Sequence, residues 1–338
     1  MLEAGKRVAV LGAGAWGTAL ASSLATRAAA VLWARDSDQA LAIARERRNA
    51  RYLPEVAIPE ELAVSADLAQ AVEGAALLLL ATPVAGLRDL VSRLAALGLD
   101  PAPGLVWLCK GFEQGSGRLP HEIVEEAFGA HARCGALSGP SFALEVARGL
   151  PCALTLAARD AAFARAAAAQ VHGGRIRVYY SDDLIGVELG GALKNVIAIA
   201  VGLCDGLALG QNARAALVTR GLAEITRLGV ALGGRAETFH GLAGVGDLFL
   251  TATGDLSRNR RVGLELARGK SLDAALEELG HVAEGVRSAR EALRLASARQ
   301  IDMPIAAAVC DVLEGGLDPA AAAERLLARD ARSERLEG

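Results

Sequence analysis

A chain of 338 residues is long enough for two domains with sizeable cores. It is 52% hydrophobic, 22% charged and 4% aromatic, with a formal net charge of −3. That balance suits a soluble, helix-rich globular protein and supplies no global basic field to draw in nucleic acid. The cysteines (Cys109, Cys134, Cys152, Cys204, Cys310) are odd in number and scattered, with no C-x-x-C pair. This argues against a disulfide framework or structural zinc and for a reducing, cytoplasmic setting. No signal peptide, internal repeat or metal-ligand spacing of His, Cys and Asp is visible, so no metal is expected.

The longest uncharged run, Val8 to Thr26, has the length of a membrane span, but Gly12, Gly14 and Gly17 break it. It reads instead as strand, turn and helix, and no transmembrane segment is expected. A β-type run at Arg7–Leu11 leads into Gly12-Ala13-Gly14-Ala15-Trp16-Gly17. A helical stretch to Thr26 and a second strand over Ala30–Ala34 follow. This is the dinucleotide-binding order. The first glycine permits a tight turn, the second lets backbone approach a pyrophosphate, and the third lets helix lie on strand. The helix N-terminus offers N–H groups and the positive end of its dipole to the phosphates. The second strand ends in Arg35-Asp36. An arginine there suits the 2′-phosphate of NADP and an acid the ribose of NAD, so NADP(H) is the preferred expectation and NAD(H) the second.

Residues 38–50 read as a polar helix, and Tyr52-Leu53-Pro54 with Ile58-Pro59 as a loop. Leu77–Leu80 is a continuous apolar run, as in a strand buried on both faces of a parallel sheet, and Ala81-Thr82-Pro83 closes it. The strand Leu105–Cys109 ends in Lys110, well placed for an anionic or carbonyl substrate. Residues 136–143 read as strand end, turn and helix start, with Ser141 as a helix cap. Strands over Cys152–Leu156 and Ile176–Tyr180 complete the β material. Helical patterns take over after about residue 182, which predicts domains of 1–182 and 183–338.

The stretch from Glu188 to Gly202 is apolar and helical, interrupted by the single Lys194. A lone ammonium in such a segment is costly to bury without a partner or a task. Gly190 and Gly191 each cost a helix roughly 1 kcal/mol against alanine, so something must come close to this backbone beside the amine. Substrate or cofactor is one such neighbour. A glycine-rich turn at 241–246 runs into a helix at Asp247, readable as a helix cap or as a carboxylate held near Lys194. Ser257-Arg258-Asn259-Arg260-Arg261 makes a phosphate cradle by composition. Val282-Ala283-Glu284-Gly285 reads as a turn. Met303-Pro304 starts a helix, and Asp318 caps another, with Pro319 at its first position.

In order and spacing these segments resemble the bacterial NAD(P)-dependent glycerol-3-phosphate dehydrogenases. The motifs are GAGAWGTALA (12–21), KGFE (110–113), SGPSFA (138–143), GVELGGALKNVIAIAVG (186–202), GLAGVGDLFLT (241–251), SRNRR (257–261) and VAEG (282–285). The resemblance implies an α/β Rossmann-type N-terminal domain followed by an all-α C-terminal domain. It also implies reversible reduction of dihydroxyacetone phosphate to sn-glycerol 3-phosphate, a phospholipid precursor. Lys194 is then the proton-transfer residue. Lys110, Gly139, Ser141, Lys194, Asp247, Ser257, Arg258 and Asn259 surround the substrate. Gly12, Gly14, Ala15, Trp16, Gly17, Arg35, Lys110, Ala143, Arg258, Val282 and Glu284 contact the cofactor. The partner is a small molecule, with no nucleic acid and no integral membrane segment, and a homodimer is compatible. The pattern departs from the family at Ser141, where many members have Thr, and in a shorter Arg27–Ala30 loop without its Gly. The alternatives are another β-hydroxyacid dehydrogenase of the 6-phosphogluconate type and a catalytically silent NADP-binding protein.

Overall fold

The computed structural model describes residues 7–99, 102–279 and 283–328. The chain divides into two compact units, one of Met1–Lys110 with Arg118–Leu184, the other of Gly111–Gly117 with Ile185–Gly338. The division follows the change from mixed to helical sequence near residue 182, with one excursion that sequence did not suggest. The short segment after Lys110 folds with the helical unit.

The first unit is built on one eight-stranded sheet. Its elements run β1 (Val8–Leu11), α1 (Ala15–Ala25), β2 (Ala30–Trp33), α2 (Ser37–Glu46), β3 (Arg48–Asn49), β4 (Leu53–Ala57), β5 (Ala63–Ser65), α3 (Leu68–Val72), β6 (Leu77–Leu80), α4 (Val84–Ala96), β7 (Gly104–Trp107), α5 (Pro120–Phe128), β8 (Cys134–Ser138), α6 (Ala143–Ala147), β9 (Cys152–Ala157), α7 (Ala161–Val171) and β10 (Ile176–Ser181). The sheet order is β10-β9-β8-β7-β6-β1-β2-β5, and β3 and β4 form a separate antiparallel hairpin. From β8 through β5 every pairing is parallel. Between β8 and β9 the direction reverses. The four leucines of β6 are fully buried, as a central parallel strand covered on both faces requires. Each contributes roughly 1.5–3 kcal/mol relative to an exposed leucine.

The hairpin corrects the expected helix-then-loop over 38–59. The α2 helix stops at Glu46 because Arg47 adopts a left-handed conformation (φ 48°), and Leu53–Ala57 returns as β4. Polar composition resembles helix and loop alike, and a two-residue strand leaves almost no periodicity to read.

The second unit contains α8 (Leu184–Gly206), α9 (Gly210–Ala231), α10 (Ala236–Phe239), a π-helical turn at Leu242–Gly246, α11 (Asp247–Thr253), α12 (Arg258–Ala267), α13 (Leu272–Leu279), α14 (Glu284–Ser297), α15 (Pro304–Leu313) and α16 (Pro319–Leu327). By length and hydropathy α8 could cross a membrane, but 94% of its most apolar window is buried inside the protein. The apolarity on every side is that of a central core helix. Two backbone-to-backbone approaches fix its neighbours. A Cβ at Gly190 would meet the Ala243 carbonyl oxygen at 2.6 Å, and one at Gly202 would meet that of Arg260 at 2.0 Å. The first brings the π-helical turn against α8 and the second brings α12 against it. The room at Gly190 is therefore filled by the protein's own backbone, not held open for substrate or cofactor.

Candidate active site

Parallel strands deliver five of the expected segments to one edge of the sheet. The glycine turn follows β1, Arg35 follows β2, Ala81 follows β6, Lys110 lies just beyond β7, and Gly139 and Ser141 follow β8. The chain leaves β1 toward β2 on one side and returns to β6 on the other, so the carboxyl ends of β1 and β6 form the topological switch point where such sheets bind ligands.

The three fingerprint glycines divide by cause. Gly12 has φ +130°, and a Cβ there would lie 2.5 Å from the Ala81 carbonyl oxygen. At Gly17 a Cβ would lie 2.0 Å from the Gly12 carbonyl oxygen. Both are demanded by the protein's own packing. Gly14 has φ −75° and ψ −179°, open to any residue, and nothing lies within 4 Å of the Cβ it lacks. It is also the N-cap of α1, with no side-chain cap and no acid in the first turn. A helix N-terminus left bare beside an open glycine fits a dinucleotide pyrophosphate. Ala15 and Trp16 begin that helix, and Ala143, at the start of α6, joins them against the core.

Arg35 is exposed at the end of β2. Asp36 caps α2, its carboxylate accepting from the Asp38 and Gln39 N–H groups at 3.0 and 3.1 Å. The acid beside Arg35 is thus occupied by a helix terminus. On the neighbouring strands, Lys110 Nζ and Ser141 Oγ both donate to the Gly139 carbonyl, at 3.2 and 2.9 Å. Phe142 is the N-cap of α6, which corrects the reading of Ser141 as the cap. Its hydroxyl instead turns back onto the turn, as a serine two residues on can.

In the helical unit Lys194, on α8, forms an ion pair with Asp247, at the head of α11. The side chains are 8% and 1% exposed. Gly246 is the N-cap of α11, so Asp247 is the lysine's counter-charge and not a cap. Thr251, one turn on and also buried, donates its hydroxyl to the Asp247 carbonyl at 2.7 Å. Sequence reasoning passed over it because a threonine mid-helix carries no signal of its own.

The five-residue basic segment separates into different tasks. Ser257 is buried and caps α12, accepting from the Arg260 N–H at 3.2 Å. Arg258 opens the helix and is exposed. Arg260 leaves the expected cradle. Its guanidinium binds Asp205 of α8, with Nε and Nη2 at 2.8 and 2.7 Å from the carboxylate, and Arg214 of α9 holds the other oxygen at 2.7 Å. Asp205, invisible as a functional residue in sequence, thus anchors α12 so that its first turn is fixed. Asn259 is buried between helices. It donates to Asn195 Oδ1 at 2.9 Å and accepts from the Gly285 N–H at 3.0 Å. This ties the neighbour of Lys194 to the start of α14, where Glu284 lies half-buried. Glu284 opens a helix, a correction to the expected turn, and Val282 lies outside the described residues. Among the described residues no group of three His, Cys, Asp or Glu could hold a metal.

Two family models match the chain. NAD-dependent glycerol-3-phosphate dehydrogenase N-terminus covers residues 7–164, and the corresponding C-terminus covers residues 183–324. The chain is similar to glycerol-3-phosphate dehydrogenase [NAD(P)+] of Dechloromonas aromatica, at 59% identity over 97% of this chain and 99% of the relative. The same enzyme of Paucimonas lemoignei is 58% identical over 97% and 98%. Among solved structures, glycerol-3-phosphate dehydrogenase of Coxiella burnetii superposes with a TM-score of 0.90 at 42% identity, covering 96% of this chain and 99% of that one. A D-mandelate dehydrogenase with NADH superposes at 0.61 with 13% identity over 94% and 99%, a likeness of fold alone.

Proposed function

The chain belongs to the NAD-dependent glycerol-3-phosphate dehydrogenase family, and from that premise we propose that it reduces dihydroxyacetone phosphate to sn-glycerol 3-phosphate. The single observation that carries this reading to the chemistry is the buried Lys194–Asp247 pair. Desolvating an ammonium is costly, and a carboxylate partner favours its charged form. Lys194 would then hold a proton ready for the carbonyl oxygen of the substrate. When bound, the nicotinamide cofactor supplies the hydride for the carbonyl carbon. As negative charge develops on that oxygen, the Lys194 ammonium stabilises it and donates its proton.

Arg258, at the start of α12, would hold the substrate phosphate, its guanidinium by paired N–H donors. Asn259 would keep that turn in register with Lys194 through Asn195. In the dinucleotide unit, Gly12, Gly14, Ala15, Trp16 and Gly17 would receive the pyrophosphate and Arg35 a 2′-phosphate, with Ala143 as a further contact, and Val282 and Glu284 of the second unit would also contact the cofactor. Lys110, Gly139 and Ser141 would line the substrate side of the same sheet edge. We assign the cofactor domain to 1–182, apart from the Gly111–Gly117 segment that folds with the helical unit, the substrate domain to 183–338, and the enzyme to the cytoplasm, where five cysteine thiols are chemically at ease.

The test is a spectrophotometric assay of dihydroxyacetone phosphate with NADPH and NADH side by side, with 6-phosphogluconate and NADP⁺ as the rival pair. Turnover of the ketone phosphate alone supports the assignment. Turnover of the hydroxy acid alone, or cofactor binding with no turnover of either, refutes it.

A further inference from the structure

We propose that Asn49, in a hairpin with no assigned task, is a positioning residue for the cofactor. It holds the Ala13 carbonyl turned into the protein and so aims the Gly14 N–H outward at the pyrophosphate. The inference rests on the dinucleotide reading above and not on the identity of the substrate.

Asn49 is 1% exposed. Its amide nitrogen donates to the Ala13 carbonyl at 3.0 Å and to Thr18 Oγ1 at 2.8 Å. Gln39 of α2 adds a second donor to the Ala13 carbonyl at 2.9 Å, and its amide lies 3.4 Å from Asn49 Oδ1. A buried amide is costly unless its hydrogen bonds are made. Here both nitrogen donor positions of Asn49 go to the segment that carries the glycine fingerprint.

The consequence for a ligand follows from covalent geometry. The peptide joining Ala13 to Gly14 is planar and trans, so its C=O and N–H point in opposite directions. Fixing the carbonyl toward Asn49 fixes the Gly14 N–H away from it. Gly14 is the fingerprint position with nothing within 4 Å of its missing Cβ, the place the chain leaves open. The bond to Thr18 ties the same amide to the first turn of α1, where the Thr18 N–H reaches the Gly14 carbonyl at 3.0 Å. Turn and helix start are thus locked as one piece. Gln39 extends the lock toward the 2′ end of the cofactor, because its helix is capped by Asp36, next to Arg35.

The test compares NADPH with 2′-phosphoadenosine, which has the 2′-phosphate and adenosine but no pyrophosphate. Each is titrated calorimetrically into the full-length protein and its Asn49→Ala and Asn49→Asp variants. NADPH affinity is expected to fall roughly tenfold or more, with fragment affinity changed by less than about twofold. Equal weakening of both ligands would reduce Asn49 to a general structural role, and unchanged NADPH affinity would overturn the proposal outright. Should the Asn49 variants fail to fold, Gln39→Ala removes one donor from the same carbonyl and leaves the hairpin amide. It is expected to give a smaller loss, again confined to NADPH, and no loss would overturn the proposal. An unaltered protein that binds NADPH but does not reduce dihydroxyacetone phosphate refutes the proposed function and leaves this inference standing.

Discussion

Lys194 and Asp247 stand 53 residues apart in the chain and meet as one buried ion pair. Removing one member of such a pair strands the other charge in the core, which costs about 3–5 kcal/mol. Lys194→Met and Asp247→Leu are each expected to destabilise the protein by that order. The double variant is expected to lose distinctly less than the sum, since no charge is left stranded. Urea unfolding of the four proteins measures the coupling. Strict additivity would mean that the pair is not formed.

Asp247→Asn keeps the shape but not the charge, and kinetics on the folded variant read its effect on the chemistry. The lysine then lacks the carboxylate that favours its protonated form and fixes its direction. We expect kcat to fall by about 10- to 100-fold, with the KM for dihydroxyacetone phosphate changed much less. Lys194→Ala is expected to lose about 10²–10⁴-fold in kcat, the usual worth of a positioned acid–base group. Steady-state kinetics on both variants checks the order. A Lys194→Ala enzyme near normal turnover would remove lysine from the mechanism.

The fold was legible where one physical cause dominates the local sequence. Leu77–Leu80 could only be a doubly buried strand, and Asp318-Pro319 begins α16 as read. Lys194 announced itself as a lone charge among apolar residues. What stayed hidden depends on partners distant in the chain. Asp247 reads equally as cap or counter-ion until the Gly190–Ala243 approach brings the π-helical turn to α8. Arg260 looks like its neighbour Arg258 until Asp205 claims it. Asn49 sits in a polar stretch with no periodicity, and its value lies wholly in the Ala13 carbonyl it holds.

That close approach makes Gly190→Ala informative. A methyl group at 2.6 Å from a backbone oxygen cannot be absorbed by a side-chain rotation. The π-helical turn must move away from α8, taking Asp247 with it. Overpacking of this kind costs about 1–3 kcal/mol. We expect a loss of that size in thermal or urea unfolding, together with a fall in kcat and near-normal NADPH affinity. An unchanged kcat in a destabilised variant would show that the spacing serves stability alone.

Cofactor choice is expected to turn on Arg35. The residue is exposed and its acidic neighbour is occupied as a helix cap. Arg35→Ser should therefore raise the KM for NADPH by roughly tenfold, the order of one charge-assisted phosphate contact, and leave that for NADH within about twofold. Parallel kinetics with the two cofactors reads this directly. An equal rise for both would point to a general effect on the site.

A pH effect on stability is expected from a residue outside the site. Glu224 on α9 is buried, and its carboxylate accepts from the Ile305 and Ala306 N–H groups at 2.8 and 3.2 Å, capping the start of α15. Burial pushes its pKa up to about 7, against the two N–H donors that favour the charged form. The folded protein therefore holds a proton that the unfolded chain, with a carboxyl near 4.5, has released. The associated stability is fully present below about pH 4.5 and is lost progressively as pH rises through about 7. The total is on the order of 3 kcal/mol. Glu224→Gln cannot titrate, so its stability measured against that of the unaltered protein should improve steadily from pH 5 to about 8. Parallel unfolding curves across that range measure the difference, and a difference independent of pH would show that the carboxyl does not titrate there.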